Sequence, residues 1–562
     1  MNTIRIPFLI FLFVAFCQNA NALISITVSG NTNTVPSLAA SYVSFASAVS
    51  ALNSVTAING PVTFNMTSGT TETAAGQITL TQAGSALYPV TFQKSGASAN
   101  PKLTRTDAGT NTTTGSGGFG DGVLRIDGTD NILFNGLDIA ASNQGIEYGY
   151  YVHKPSATNG SQNLTIKNAT VTMTKGSSAY VTGIYVDNGQ TGLGVSDGLT
   201  ITSLSGRSVN ITIIGNTIQN VHRGIYCYGF YGYYLVPNYM DQDIYIGQAG
   251  SGNGNTIINF GGGAASETSG IFCWYFANAH VENNTVNNIT GGVSATSTIY
   301  GINLSYSMAV SSVNNNTITL NNTSGEADWI RLYSYGYSNS YPVRQIQVNN
   351  NTFPAGLIGN ATASSLILVS ITSTNVNISV RNNTTTGNIS KSGTGGNLYG
   401  YYNSTNSNMM EHIAGNNFSN MSNGGSCYGI ATNCGASDTT YIDSNIVSNL
   451  SSTGTNYIAT GILVSDATVG FIRDNTISNL TGIIAKGIAL NSSNYGGDIQ
   501  VLRNKIHTLA SLTTTTNIAA VDGIYLYNYS QPGQIKIYNN LIGNLTAPSS
   551  ASTNAWCNGR WK

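Results

Sequence analysis

The chain has 562 residues, a formal net charge of −1 and only 8% charged residues. That balance gives no electrostatic footprint for nucleic acid or for an anionic membrane surface. The abundant Gly, Ser, Thr, Asn and Tyr could suit a disordered chain, but aliphatic residues recur among them at fixed spacing, which disorder does not require.

Residues 1–22 carry Arg5, an apolar run from Pro7 to Phe16 and the small-residue motif Ala20-Asn21-Ala22, the pattern of a secretory signal peptide. The mature chain is expected to begin near Leu23 and to be secreted or displayed at the cell surface. No later run approaches the roughly 18 apolar residues of a membrane span. Five cysteines remain, widely spaced, so no disulfide framework is expected.

Residues 23–123 hold the irregular beginning. Apolar residues from Tyr42 to Leu52 fall at helical spacing, predicting an amphipathic helix that covers the open end of a stack of coils. Val62-Thr63-Phe64 and Val90-Thr91-Phe92 predict the first strands.

From Leu124 to Leu545 two markers run in step. Gly-Ile recurs at 183, 224, 270, 301, 429, 461, 487 and 523, with altered versions at Trp329-Ile330, Leu366-Ile367 and Gly400-Tyr401. Each precedes one Asn of a second series: Asn216, Asn255, Asn284, Asn316, Asn351, Asn383, Asn417, Asn445, Asn475, Asn504 and Asn540. The period is about 32 residues, and such periods mark stacked solenoids. Alternation after each Gly, as in Gly461-Ile462-Leu463-Val464-Ser465, predicts a strand with one buried face. Ile184 through Ile524 would form one interior column, with Val186, Cys227, Cys273 and Leu304 in its neighbour. A second strand leads into each Asn and a third comes after it, so three short strands make a coil. The Asn side chain at the bend can bond its counterparts above and below. Many of these residues also sit in Asn-x-Thr/Ser triplets that could accept glycans, but their coincidence with one corner favours the ladder.

Residues 546–562 break off where another coil is due, so a truncated or frameshifted tail is expected.

These motifs, Ile-x-x-Asn-Asn-Thr-Ile and Gly-Ile-x-Leu, together with the early coil Leu124 to Leu137, resemble those of the pectate-lyase-like superfamily of right-handed parallel β-helix proteins. The resemblance implies an all-β, right-handed parallel β-helix with an N-terminal helical cap. It does not choose a function, because that superfamily includes lyases, glycoside hydrolases, adhesins and stalks.

Two corners carry long Tyr-rich insertions, Gly229 to Asp243 and Tyr333 to Pro342. With the outward strand positions they predict an aromatic stripe of Tyr185, Tyr226, Tyr228, Phe272, Trp274, Tyr333 and Tyr335. Such rings suit the CH faces of sugars, while the alternative is that they merely shield the sheet. Asp241 and Asp243, on one side of an extended segment, are the candidate acid/base or calcium pair; the competing reading is a pair of solvated loop acids. Arg331 is the candidate basic partner. With outward positions running Asp187, Tyr226, Phe272, Asn303 and Arg331, Asp187 and Arg331 lie about 19 Å apart and cannot share a site. No cofactor other than calcium is expected. Cys227 and Cys273 face each other in adjacent coils, either as a disulfide or as buried thiols. The sequence therefore predicts an exported, monomeric β-helix that binds carbohydrate or another surface without catalysis. The alternatives are a polysaccharide lyase or glycoside hydrolase, and the stalk of a larger adhesin.

Overall fold

The computed structural model describes residues 23–547 and the strand at 556–558, apart from 111–119, 177–179, 190–197, 231–236, 263–266, 290–297, 307–309, 324, 335–342, 360–361, 373–374, 394, 406–408, 434–438, 455–456, 467–468, 492–497, 513–519 and 528–533. The leader at 1–22, Tyr335 and most of the tail lie outside the described residues. The rest forms an all-β parallel β-helix of about 12 turns with about 32 residues per coil.

Each regular coil contributes to each of three sheets, usually by one strand, though the coils after Asn351 and Asn383 enter the second sheet with two short ones, such as Thr352–Phe353 and Gly356–Ile358. In one coil the first sheet takes Val209–Ile214, the second takes Thr217–Val221 and the third takes Arg223–Tyr228. Strands of successive coils pair in parallel, as Ile211 does with Leu164 and Ile244, so the backbone groups are satisfied between coils. The interior columns are as the alternation predicts: Ile184, Ile225, Ile271 and Ile302 are register partners, and so are Val186, Cys227, Cys273 and Leu304. All eight are buried.

The Gly-Ile marker has a steric cause. A Cβ on Gly183 would stand 2.3 Å from Ile218 Cγ2, and one on Gly270 would stand 2.3 Å from Val286 Cγ1. The register skips these glycines on both paired strands, and Gly and the following Ile both turn toward the interior. The β-branched residue two positions after the ladder Asn fills the space that a side chain on Gly would need. Where Trp329 replaces Gly, the opposite wall gives way instead. Gly356 stands there, and a Cβ on it would lie 2.2 Å from Trp329 Cζ2.

The ladder Asn residues turn the chain between the first and second sheets. Each Nδ2 donates to Oδ1 of the Asn in the next coil, from 3.0 Å at Asn216–Asn255 to 2.9 Å at Asn504–Asn540, and also to a backbone carbonyl of the preceding coil. Each Oδ1 accepts a second bond from the backbone N–H of the Asn before it, as Asn284 does from Asn255 at 3.0 Å. One member differs from the expected series. Asn416, not Asn417, stands in the ladder, accepting from Asn383 and donating to Asn445 at 2.9 Å each. The residue before a ladder Asn commonly takes a left-handed φ, and Gly415 at 65° supplies it, as Gly215 at 66° does for Asn216. Asn417 falls one place later, bridging Thr384 and Ile446 in the second sheet.

At the N-terminal end, Ile26–Ser29 pairs antiparallel with Val62–Thr67 and covers the first edge of the first sheet. The only α-helix among the described residues is Phe45–Asn53. Ser44 caps it by accepting from the Ser47 N–H, and the Glu72 carboxylate accepts from the N–H groups of Phe45 and Ala46. Its buried Phe45, Ala48, Val49 and Leu52 join the core, where Phe64, Phe92 and Phe134 stack through the first coils.

Candidate functional site

The outer face of the third sheet gathers the aromatic residues, in two regions of opposite character. In the lower region the predicted stripe is present in register. Tyr151, Tyr185, Tyr226 and Phe272 are successive partners, followed by Asn303 and Arg331. Tyr185, rather than Asp187, is therefore the partner of Tyr226, and Asp187 stands two residues further along, just past the end of that strand.

These rings are not a free platform. Tyr185 is 6% exposed, Tyr226 8%, Tyr228 3% and Phe272 2%. They pack on one another, with ring centroids 5.6 Å apart for Tyr185–Tyr226 and 4.9 Å for Tyr226–Phe272. Trp274 is half-buried, 5.4 Å from Tyr228, and Tyr333 borders Tyr306 at 5.7 Å. Arg223 lies 4.3 Å over both Tyr180 and Tyr226, so a cation also covers ring faces. The shielding alternative describes the lower stripe.

The acidic pair at Asp241 and Asp243 does not converge. Asp241 is fully buried, and its two oxygens lie 2.6 Å from Lys154 Nζ while accepting from the N–H groups of Ser208 and Phe230. That carboxylate is an internal counter-ion, closed to substrate and to metal. Asp243 has a left-handed φ of 57°, which breaks the extended alternation on which the pairing depended. It accepts instead from Asn278 Nδ2 at 2.7 Å and Gln242 Nε2 at 3.0 Å. Arg331 lies far along the sheet, donating to the Tyr300 hydroxyl at 2.6 Å and stacking over Tyr333 at 4.3 Å. Beside it, burial first and the neighbouring Glu326 second push the Asp328 carboxyl well above its usual range. Among the described residues no group of three or more His, Cys, Asp or Glu is placed to hold a metal. Cys227 and Cys273 are register partners, buried and free.

A polar cluster that the sequence reading passed over lies at the lower end of the stripe. His153 Nδ1 stands 3.0 Å from Asp187 Oδ1, and the Tyr151 hydroxyl donates to Asp187 Oδ2 at 2.8 Å. All three side chains are buried, so this network fixes the outward face rather than meeting solvent.

The upper region is open. Along the outward column the register runs Tyr402, Ala431, Leu463, Ala489 and Tyr525. Small and aliphatic side chains thus occupy three coils between two tyrosines, leaving a trough about 19 Å long at the inter-coil spacing. Tyr428 forms part of one wall, stacked on Tyr399 at 5.0 Å, while Tyr525 and Tyr527 rise at the far end, 6.2 Å apart. The open recess measures about 240 Å³, and its lining includes Tyr428, Thr460, Leu463, Lys486, Asn491 and Tyr527. Lys486 Nζ sits 3.5 Å from the centroid of the Tyr525 ring. This stripe is more accessible than the lower one: Tyr527 is 49% exposed, and Tyr428 and Tyr525 are partly exposed. The sequence signal was available as tyrosines at outward positions interrupted by Ala431 and Ala489, in coils that lack the long insertions.

No protein-family model matches the chain, and no curated protein matches it. Among solved structures it is similar to a mutant of the periplasmic alginate epimerase AlgG, with 12% identity over 86% of this chain and 85% of that one and a TM-score of 0.31. It is also similar to a tailspike protein mutant of E. coli bacteriophage HK620 in complex with hexasaccharide, at 13% identity over 78% and 72% with a TM-score of 0.31. The PL6 family alginate lyase AlyGC is similar at 9% identity over 85% and 96%, with a TM-score of 0.17. These likenesses are of fold alone. No helix among the described residues is long and apolar enough to cross a membrane.

Proposed function

We propose that this chain is an exported carbohydrate-binding β-helix whose binding surface is the upper trough of the third sheet. The observation that carries this reading is the open recess between Tyr428 and the Tyr525–Tyr527 pair, floored by Leu463 and Ala489. Accessible ring faces meet the CH faces of a sugar, and the part-buried Asn491 on the lining supplies an amide for its hydroxyls. The volume of about 240 Å³ lies just under the roughly 300–1,000 Å³ of sites for drug-sized ligands, which suits one or two sugar rings of a longer chain. Export rests on the signal-peptide pattern of residues 1–22.

The test is a titration of the purified chain with a panel of neutral and acidic oligosaccharides, repeated with Tyr428→Ala and Tyr525→Ala. Binding that weakens at least tenfold in both variants supports the trough. Binding unaffected by either, or no binding to any oligosaccharide, overturns it and leaves a stalk. Release of unsaturated product or new reducing ends during the same incubations would replace a binder with an enzyme.

A further inference from the structure

The trough contains a cation without a fixed counter-ion. Lys486 is half-buried on the third sheet, with Thr460 as its register partner in the coil below and Asp522 in the coil above. It forms no ion pair among the described residues, and its ammonium lies against the face of Tyr525. The contrast with Lys154 is direct. That lysine, also on the third-sheet side of the solenoid, is fully enclosed and has Asp241 at 2.6 Å. Lys391, also buried, donates to the carbonyls of Gly393 and Gly395 instead; at Lys486 the fold supplies an aromatic ring and an opening.

Asp522 does not close an ion pair with it. The residue is 5% exposed, and burial pushes its carboxyl above the usual carboxylate range while Lys486 draws it back down, so the carboxylate interacts with the ammonium only across the coil spacing. A ring face holds an ammonium through its quadrupole and leaves the net charge in place. Burial pulls Lys486 below the ordinary lysine range, as expected of a cation partly stripped of water and not fully compensated by Asp522. An incoming anion recovers that lost interaction, whereas a neutral ligand deepens the loss by displacing the remaining water.

We propose that Lys486 reads an anionic group on the bound sugar, so that the trough takes a charged oligosaccharide in preference to its neutral counterpart. This inference rests on the carbohydrate reading of the trough and adds the ligand's charge to it. The tyrosines set the orientation of the rings, and Lys486 sets which ring sits beside Tyr525. As a point donor on a flexible stem, the ammonium suits a carboxylate or a sulfate ester alike, and these two sources are separated by experiment.

The experiment is isothermal titration of the intact chain, in low salt, with length-matched neutral, uronate and sulfated oligosaccharides. Wild type is compared with Lys486→Gln, Lys486→Arg and Tyr525→Ala, each checked by circular dichroism. The expected result is at least tenfold preference for one charged series, named by whichever binds, weakened by added salt. Lys486→Gln abolishes the preference while keeping the weak neutral binding, and Lys486→Arg retains most of it. Equal binding of neutral and charged ligands in wild type, or an unchanged preference in Lys486→Gln, overturns the inference and leaves the carbohydrate reading intact. Absence of binding by all three series overturns both. Loss of the charged-ligand preference in Tyr525→Ala but not in Lys486→Gln supports the trough without Lys486 and counts against the inference.

Discussion

Gly461 and Ile477 claim the same space: a Cβ on the glycine would stand 2.5 Å from Ile477 Cγ2 and 2.6 Å from the Gly487 carbonyl oxygen. Gly461→Ala therefore overpacks the interior at a rigid backbone, and should lower stability by roughly 1–3 kcal/mol. Urea denaturation followed by circular dichroism measures it. A variant as stable as wild type would mean that the marker is not steric in origin. Trp329 opposite Gly356 predicts a similar loss for Gly356→Ala, because the ring is already in the vacated volume.

Asn383→Leu should break the amide spine at its middle. The backbone N–H and Nδ2 of Asn351 lose their acceptor, and the Val348 carbonyl loses its donor. Each buried orphan costs about 1–3 kcal/mol, so the loss should exceed about 3 kcal/mol in total. In a solenoid whose coils touch only their neighbours, the melting curve should also split into two transitions. A single unshifted transition would contradict the bonding described.

Asp241→Asn tests the reassignment of that carboxylate from chemistry to structure. It leaves Lys154 buried without its partner, at a cost of roughly 3–5 kcal/mol. The double variant Lys154→Met/Asp241→Asn, which removes the unpaired ammonium and keeps an oxygen for the Ser208 and Phe230 N–H groups, should recover most of it. Were Asp241→Asn fully stable and only ligand binding lost, the acid would belong to a working site after all.

His222 should make the protein sensitive to mild acid. Its Nδ1 accepts from the Val181 N–H at 3.0 Å, and its Nε2 donates to the Gly176 carbonyl at 2.9 Å, so the ring is held neutral. Burial lowers its pKa to about 4 from an ordinary 6.5. The unfolded chain binds the proton more readily, so the contribution is whole above pH 6.5 and declines as the pH falls toward 4. Between pH 7.5 and pH 5 the loss should be about 2 kcal/mol. Urea midpoints at the two pH values measure it, and His222→Asn should remove most of the difference; an equal difference in the variant would assign it elsewhere.

How far the sequence reaches is clearest at Asn416 and Asn417. The period announces a ladder position there, but choosing between adjacent Asn residues requires knowing which one follows a left-handed residue, and Gly415 decides it. The aromatic columns were legible because pairing in register keeps like positions in line. Their accessibility was not, because closure depends on how neighbouring rings and Arg223 cover one another. Asp241 misled for a related reason: its partner Lys154 lies 87 residues away, and no local spacing links the two. The trough escaped notice because it consists of small side chains, Ala431 and Ala489, and gaps are less conspicuous in a sequence than clusters.

The ladder also has a direction. Each Asn side chain below the last points its amide hydrogen toward the following coil, and that coil's oxygen also takes the backbone N–H behind it. A newly wound turn is thus left with two thirsty donors until its successor arrives, and each arrival quenches them while exposing two more. Such a chain is suited to zip from its beginning toward its end, in the order in which a ribosome or an export channel would deliver it.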